Sequence, residues 1–374
     1  MKDLNKDSLI NKDYFFIDTH AHLDMIKGMT PEFVVQESLR ENVRYIINVG
    51  SSISGSKKSS EYATKFDNVF ASVGVHPHYV ENFNKDKIKI LEDLIKNNPK
   101  IVAVGETGFD YFRNLSPKDD QKRAFEMHIE LAQNCKLPLI VHDRDAHNDI
   151  LNVLKYYYSG YGAVYVDAEK TDYSDTNSAK CVDNHRADFG DNCGVDYVDN
   201  HRADCIDNCK TDYNDNLRAE FSDNLGANCS DNIKTNYSAN HKSGWNAEHK
   251  ADYDAGHKSD NEVINNFKVV IHCFSGSTDF ALKCIELGFY ISFTGVITFP
   301  NAKSLVQTVK EVPIERIFIE TDAPFLAPQE KRGKENYPGY VVYVAKKISE
   351  IKQVPLEYVA KTTFNNALNF FNIK

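Results

Sequence analysis

The stretch from Tyr14 to Asp24 reads Tyr-Phe-Phe-Ile-Asp-Thr-His-Ala-His-Leu-Asp, a short apolar run that ends in a carboxylate and a His-x-His pair. Side chains alternate along a strand, so His20 and His22 project to the same side and are able to bind one ion together. The same plan recurs down the chain. Apolar runs reach Gly50 (YIINVG), Gly74 (VFASVG), Gly105 (IVAVG), His142 (LIVH), His272 (VVIH), Phe293 (FYISF) and Glu320 (IFIE). Between them lie stretches with helical spacing, such as Gln121–Cys135 and Asp145–Tyr157.

Short continuous apolar runs suit parallel strands buried on both faces, and strands alternating with helices predict βαβ units. A doubly wound sheet would alternate in the same way. What selects a (β/α)8 barrel, a TIM barrel with a C-terminal helical extension, is where the reactive residues fall. Asp18–His22, Glu106, His142, His272 and Glu320–Asp322 each stand at the C-terminal end of a strand, the face on which barrel enzymes build their sites. Four histidines with two or three carboxylates at one mouth form a metal constellation.

The chain interrupts this plan once. Residues 166–261 carry ten basic and twenty acidic residues, so they hold the whole net charge of −10 and leave the remainder neutral. They also hold five of the eight cysteines, the only tryptophan and no proline. VDNHRAD occurs at 182–188 and again at 198–204, within degenerate octads of the form x-Asp-Asn-x-(Lys/Arg/Gly)-(Ala/Thr)-Asp-(Tyr/Phe/Cys). One large apolar side chain per octad does not offset an ordering entropy of roughly 1–2 kcal/mol per residue, so this insert is expected to be disordered. The expected organisation is therefore 1–165 for the first part of the barrel, 166–261 for the insert between helix 5 and strand 6, and 262–374 for the rest. The 278 residues outside the insert suit one such barrel.

Three function classes are disfavoured. No apolar run approaches the roughly 18–20 residues that cross a bilayer. Met1 to Asp18 lacks the apolar core of a signal peptide, so a cytoplasmic protein is expected, with nuclear residence or non-classical export as alternatives. A net charge of −10 argues against holding nucleic acid by bulk positive charge. Without a secretory context, Cys135, Cys273 and Cys284 are read as reduced thiols.

Taken together, the segments Asp18–Asp24 (DTHAHLD), Gly74–His78 (GVHPH), Gly105–Tyr111 (GETGFDY), His142–Ala146 (HDRDA), His272–Gly276 (HCFSG) and Glu320–Leu326 (ETDAPFL) resemble the TatD family of metal-dependent deoxyribonucleases, within the amidohydrolase-like barrels. The resemblance implies two divalent ions. His20, His22 and Asp322 would hold one, His142 and His272 the other, and Glu106 would bridge them. It also implies magnesium-dependent nuclease activity; the histidine-rich donor set suits Mn²⁺ or Zn²⁺ as well. Asp322 and Glu106 are the catalytic candidates, with Asp322 placed to take the proton of the nucleophile. His76 and Arg144 are candidate substrate contacts, and Asp110 is expected to orient a ligating histidine.

Phe109, Tyr111, Phe112 and Phe325 lie in loops of the same face and could stack a base. In the stretch Arg332–Pro338, Glu335 occupies the place where the family carries an arginine. The leading expectation is an exonuclease acting on single-stranded or frayed DNA by a two-metal hydroxide mechanism, as a monomer with no inferable protein partner. The alternatives are a metal-dependent acyl hydrolase, such as a D-aminoacyl-tRNA deacylase, and a non-catalytic scaffold displaying the repeat.

Overall fold

Alternate residues of the same strand serve two different cores. Leu139 and Val141, Val269 and Ile271, and Ile317 and Ile319 pack outward among the helices, while Ile140, Val270 and Phe318 join Ile17, Ile47 and Val102 in a second cluster. Side chains from six strands meet in one cluster only if the sheet curves round on itself, which makes this second cluster the interior of a barrel.

The computed structural model describes residues 14–158 and 267–374. The octad array, its expected disorder and the boundaries at 165/166 and 261/262 lie outside the described residues. The strands are β1 (Phe16–Ala21), β2 (Val43–Val49), β3 (Val69–Val73), β4 (Ile101–Asp110), β5 (Leu139–Arg144), β6 (Val269–Ile271), β7 (Tyr290–Phe293) and β8 (Ile317–Ile319). They pair in chain order, every pair parallel. The helices between them are α1 (Pro31–Arg40), α2 (Ile53–Lys65), α3 (Lys85–Asn97), α4 (Lys118–Cys135), α5 (His147–Tyr158), α6 (Thr278–Glu286) and α7 (Lys303–Glu311). Helices α8 (Val341–Lys352) and α9 (Leu356–Phe371) follow as the expected extension. No described helix is long and apolar enough to cross a membrane.

The ring closes where the chain runs on past β8. Asp322 N donates to His20 O (2.9 Å), His22 N donates to Ala323 O (2.8 Å), and Ala21 pairs with Ala323. Asp18 pins this seam from within, accepting hydrogen bonds from Thr321 N (2.9 Å) and Thr321 Oγ1 (2.5 Å).

One strand departs from the sequence reading. β4 was expected to end near Gly105, yet it continues to Asp110 and pairs Gly108, Phe109 and Asp110 with His142, Asp143 and Arg144. Gly105 (φ +138°) and Gly108 (φ +140°) make this possible, because a Cβ at either would meet the β5 backbone: 2.6 Å from Ile140 O and 2.1 Å from His142 O. The two glycines let β4 press against β5 and carry Glu106 between them.

The opposite end of the barrel is plugged. Ala367, Phe370 and Phe371 of α9 pack into the inner cluster, with Phe370 edge-on to Phe318 at 5.0 Å between ring centroids. Asn366 Nδ2 ties the same helix to Ile314 O and Ile317 O. Phe370→Ala should therefore lower unfolding stability by about 3–5 kcal/mol, through lost burial and a cavity the barrel wall cannot collapse into. A denaturant midpoint that does not move would show that α9 is not part of the core.

Candidate metal centre

Two residues beyond the inner apolar layer, the same inward positions turn polar: Ile140 leads to His142, Val270 to His272, and Phe318 to Glu320 and then Asp322. In β1 an irregular register between Asp18 and Ala21 breaks the alternation. As a result Thr19 and His20 both reach the interior, where Thr19 Oγ1 lies 3.5 Å from Ser292 Oγ.

The side chains converge around one carboxylate. His20 Nε2 and His22 Nε2 are 3.3 Å apart, with Asp322 Oδ1 at 3.8 and 3.6 Å from them. Glu106 Oε2 lies 3.5 and 3.8 Å from the same two nitrogens. Its other oxygen, Oε1, is 2.8 Å from His142 Nδ1 and 2.7 Å from His272 Nε2, and those nitrogens are 3.3 Å apart. His76 Nε2 stands 3.5 Å from Oε1. All six residues expected to ligate metal are thus brought together. With His76, their donor atoms fall into overlapping groups able to hold an ion: His20, His22 and Asp322; His20, Glu106 and His272; and His76, Glu106 and His142.

The donor set fits divalent cations. Separations near 3.3 Å match the edge of a tetrahedron with bonds of about 2.0–2.1 Å. Burial opposes the charge of Glu106, but His272, His76, His142 and His20 outweigh it and hold the carboxyl well below the usual carboxylate range.

Hydrogen bonds fix which histidine nitrogens are bare. His22 Nδ1 lies 2.8 Å from Val49 O, which can only accept, so the hydrogen sits on Nδ1 and Nε2 keeps a lone pair. His142 Nε2 faces Asp110 Oδ2 (3.3 Å) and donates to it, which leaves a lone pair on Nδ1, 3.3 Å from His76 Nε2. His76 is the opposite case. Its Nδ1 accepts from His78 N (3.1 Å), so the neutral ring carries its hydrogen on Nε2, the atom that faces the cluster. Burial holds this ring well below the usual histidine range. In this tautomer His76 presents a donor to the cluster, with His142 Nδ1 (3.3 Å) and Glu106 Oε1 (3.5 Å) in reach.

A supporting layer surrounds the ligands. Asp110 accepts from His142, from His78 Nε2 (2.7 Å) and from Arg113 N (2.7 Å). Burial opposes its charge, yet these donors hold it well below the usual carboxylate range. His78, given no role from the sequence, is thus tied into the site. Asp18 belongs to the barrel seam, where burial pushes its carboxyl well up, and Asp24 is exposed.

Glu320 was given no role from the sequence. It is buried, with Oε1 2.6 Å from Cys273 N and 3.5 Å from His272 Nδ1. The signal for it was available: it stands two residues beyond an inward phenylalanine. His128 carried no comparable signal. From α4 its Nε2 accepts from Val75 N (3.1 Å), its Nδ1 lies 2.6 Å from Ala124 O, and its ring stacks on Phe83 at 4.7 Å. It thereby holds the loop that carries His76.

Arg144 is exposed, its guanidinium 4.5 Å from the centroid of Phe112. Glu335 neither contacts the ligands nor leaves a gap: it accepts from Lys27 N (2.9 Å) and Gly28 N (2.8 Å), strapping the β1 loop to the β8 loop. Of the four aromatics expected to stack a base, Phe109 is buried against Phe125 and Tyr111 packs on Phe109 with its hydroxyl on Asp149, so neither is free to do so. Phe112 and Phe325 are exposed. Cys135, Cys273 and Cys284 are free thiols.

The family model described as TatD related DNase matches residues 17–167 and 248–372. The uncharacterised metal-dependent hydrolase YabD of Bacillus subtilis is 29% identical, over 95% of this chain and 98% of its own. The uncharacterised metal-dependent hydrolase YcfH of Escherichia coli is 26% identical, over 96% of each. Among solved structures, the TatD homologue YJJV of Escherichia coli aligns with a TM-score of 0.63 at 20% identity, covering 96% of this chain and 98% of that one. A TatD family hydrolase of Entamoeba histolytica aligns with a TM-score of 0.59 at 18% identity, with the same coverage. These two likenesses concern the fold.

Two outcomes are expected. His142→Ala and His272→Ala should each lower the divalent metal retained after dialysis, measured by elemental analysis, while His76→Ala retains it; equal loss in all three would make His76 a ligand. Burial also depresses His128 to about 4 from an ordinary value near 6.5. The fold therefore favours its neutral form, and this stabilisation is complete above pH 6.5 and lost as pH falls toward 4. It amounts to about 3 kcal/mol. The difference in unfolding stability between the wild type and His128→Gln should shrink over that interval, and a constant difference would remove His128 from the acid response.

Proposed function

The chain belongs to the TatD-related DNase family of metal-dependent hydrolases, and on that premise we propose that it hydrolyses DNA phosphodiester bonds with two divalent ions. The observation that carries this reading is Glu106, whose two oxygens face two different sets of donors. Mg²⁺ or Mn²⁺ is the proposed pair in turnover, with Zn²⁺ also compatible with the histidines. When bound, such ions supply a water that is nucleophilic at neutral pH and offset the charge on the phosphate oxygens.

The chain's own residues do the rest. His20, His22 and Asp322 are proposed to hold one ion and His142 and His272 the other, with Glu106 shared. The Asp322 side chain is the most open of the carboxylates at the mouth, 15% exposed against 4% for Glu106, so it is placed to take the nucleophile's proton. His76 Nε2–H points into the cluster and donates to a phosphate oxygen. Arg144, at the edge of the mouth, contacts the backbone of the substrate. Asp110 keeps the His142 hydrogen on Nε2 and so keeps Nδ1 free. A barrel neutral outside the insert favours a strand end over a long duplex, so exonucleolytic cleavage of single-stranded or frayed DNA is the proposed mode.

A 5′-labelled single-stranded oligonucleotide should be shortened with added Mg²⁺ or Mn²⁺ and left intact in EDTA. Glu106→Ala should reduce the rate below about a hundredth and lower the metal content. Retention of more than about a tenth, a barrier change under roughly 1.4 kcal/mol, would remove Glu106 from the bridge. A chain that spares DNA but cleaves an aminoacyl ester with the same metal dependence would be an acyl hydrolase instead.

A further inference from the structure

Three loops on the face of the metal cluster together expose four large apolar side chains. Tyr79 follows β3, Phe112 and Leu115 follow β4, and Phe325 follows β8, each more than half exposed. Two of them stand directly beside site histidines: Phe325 lies 6.5 Å from the ring of His22, and Tyr79 lies 6.2 Å from the ring of His76.

They are exposed on rigid supports. Phe325 N donates to Asp322 O (2.9 Å), and Phe325 O accepts from the buried Asn336 Nδ2 (2.5 Å). Tyr79 N donates to His76 O (2.9 Å). A backbone tied this firmly to the site residues, carrying an aromatic ring left in water, is suited to a flat apolar group that arrives with the substrate. Phe112 meanwhile braces a cation, Arg144, at the same rim. Apolar faces beside one cation match unpaired nucleobases on a phosphate backbone.

We propose that Phe325 and Tyr79 stack the bases flanking the scissile phosphate, while Arg144, braced on Phe112, holds the next phosphate. This rests on the nuclease reading above and adds to it the groups that select a single strand, since a base in a duplex has no free face to stack.

The test uses the full chain and two oligonucleotides of equal length, one oligo-dT and one with abasic tetrahydrofuran residues throughout. The ratio of kcat/KM for the two should exceed ten in the wild type, carried by KM, and fall toward one in Phe325→Ala and in Tyr79→Ala. Phe325→Trp should restore it. Fluorescence anisotropy in EDTA, with no turnover, should give the same ordering of binding, with oligo-dT weakened five-fold or more in Phe325→Ala. Cleavage of both oligonucleotides at one rate by the wild type would overturn the rim and leave the nuclease reading standing. Preferential binding of oligo-dT in EDTA with no cleavage under any metal would overturn the nuclease reading and keep the rim. Neither binding nor cleavage would overturn both.

Discussion

One carboxylate must face two sets of donors at once, and the barrel is arranged to let it. Glu106 has Oε2 toward His20, His22 and Asp322, and Oε1 toward His142 and His272. Those partners come from β1, β5, the end of β6 and the end of β8, so only a closed ring brings them within reach of one side chain. Closure is therefore part of the site. The seam supplies both: the backbone of Asp322 bonds to that of His20, so the strand contact that shuts the barrel also sets two ligands side by side.

A centre of this kind is costly to keep. His20, His22, Glu106, His272 and Glu320 are all buried, and buried polar groups lose hydration that must be replaced. Replacement comes from groups aimed at some of them, Val49 O at His22 and Cys273 N at Glu320, while Asp110 does the same for the half-buried His142; His20 Nδ1 and His272 Nδ1 have no hydrogen-bond partner among the described residues. The apolar counterweight sits at the other end, where α9 drives Phe370 and Phe371 into the interior. The same inward positions serve both ends. Toward the N-termini of the strands they are apolar and build stability; toward the C-termini they are polar and build chemistry.

That division is why so much of the site was legible from the sequence. A run such as LIVH or VVIH states its own geometry, because alternation fixes which residues point inward and the reactive residue marks the end of the strand. Order along the chain did the rest. What stayed hidden depends on contacts between segments distant in sequence. The extension of β4 needs Gly105 and Gly108 to meet the backbone of β5, and a glycine in the sequence reads equally as a strand end. His128 reaches the loop of His76 from a helix, with no periodic signal to distinguish it from an ordinary core residue. Glu335 looked like a lost charge and is a strap, since its partners are main-chain amides that carry no sequence signature.

The tautomers carry the argument one step further. Distance alone groups His76 with Glu106 and His142 as readily as it groups His20 with His22. A lone pair, though, is a matter of where the other nitrogen's hydrogen bond goes. Val49 O and Asp110 each take a hydrogen from a ring and so free the far nitrogen, whereas His78 N gives one and so blocks it. Histidines around the same carboxylate thereby differ in what they present to it, a lone pair from His22 and His142 and a hydrogen from His76. The groups behind the rings, Val49 O, Asp110 and His78 N, more than the spacing of the histidines, decide whether the nitrogen of each ring that faces the cluster is bare.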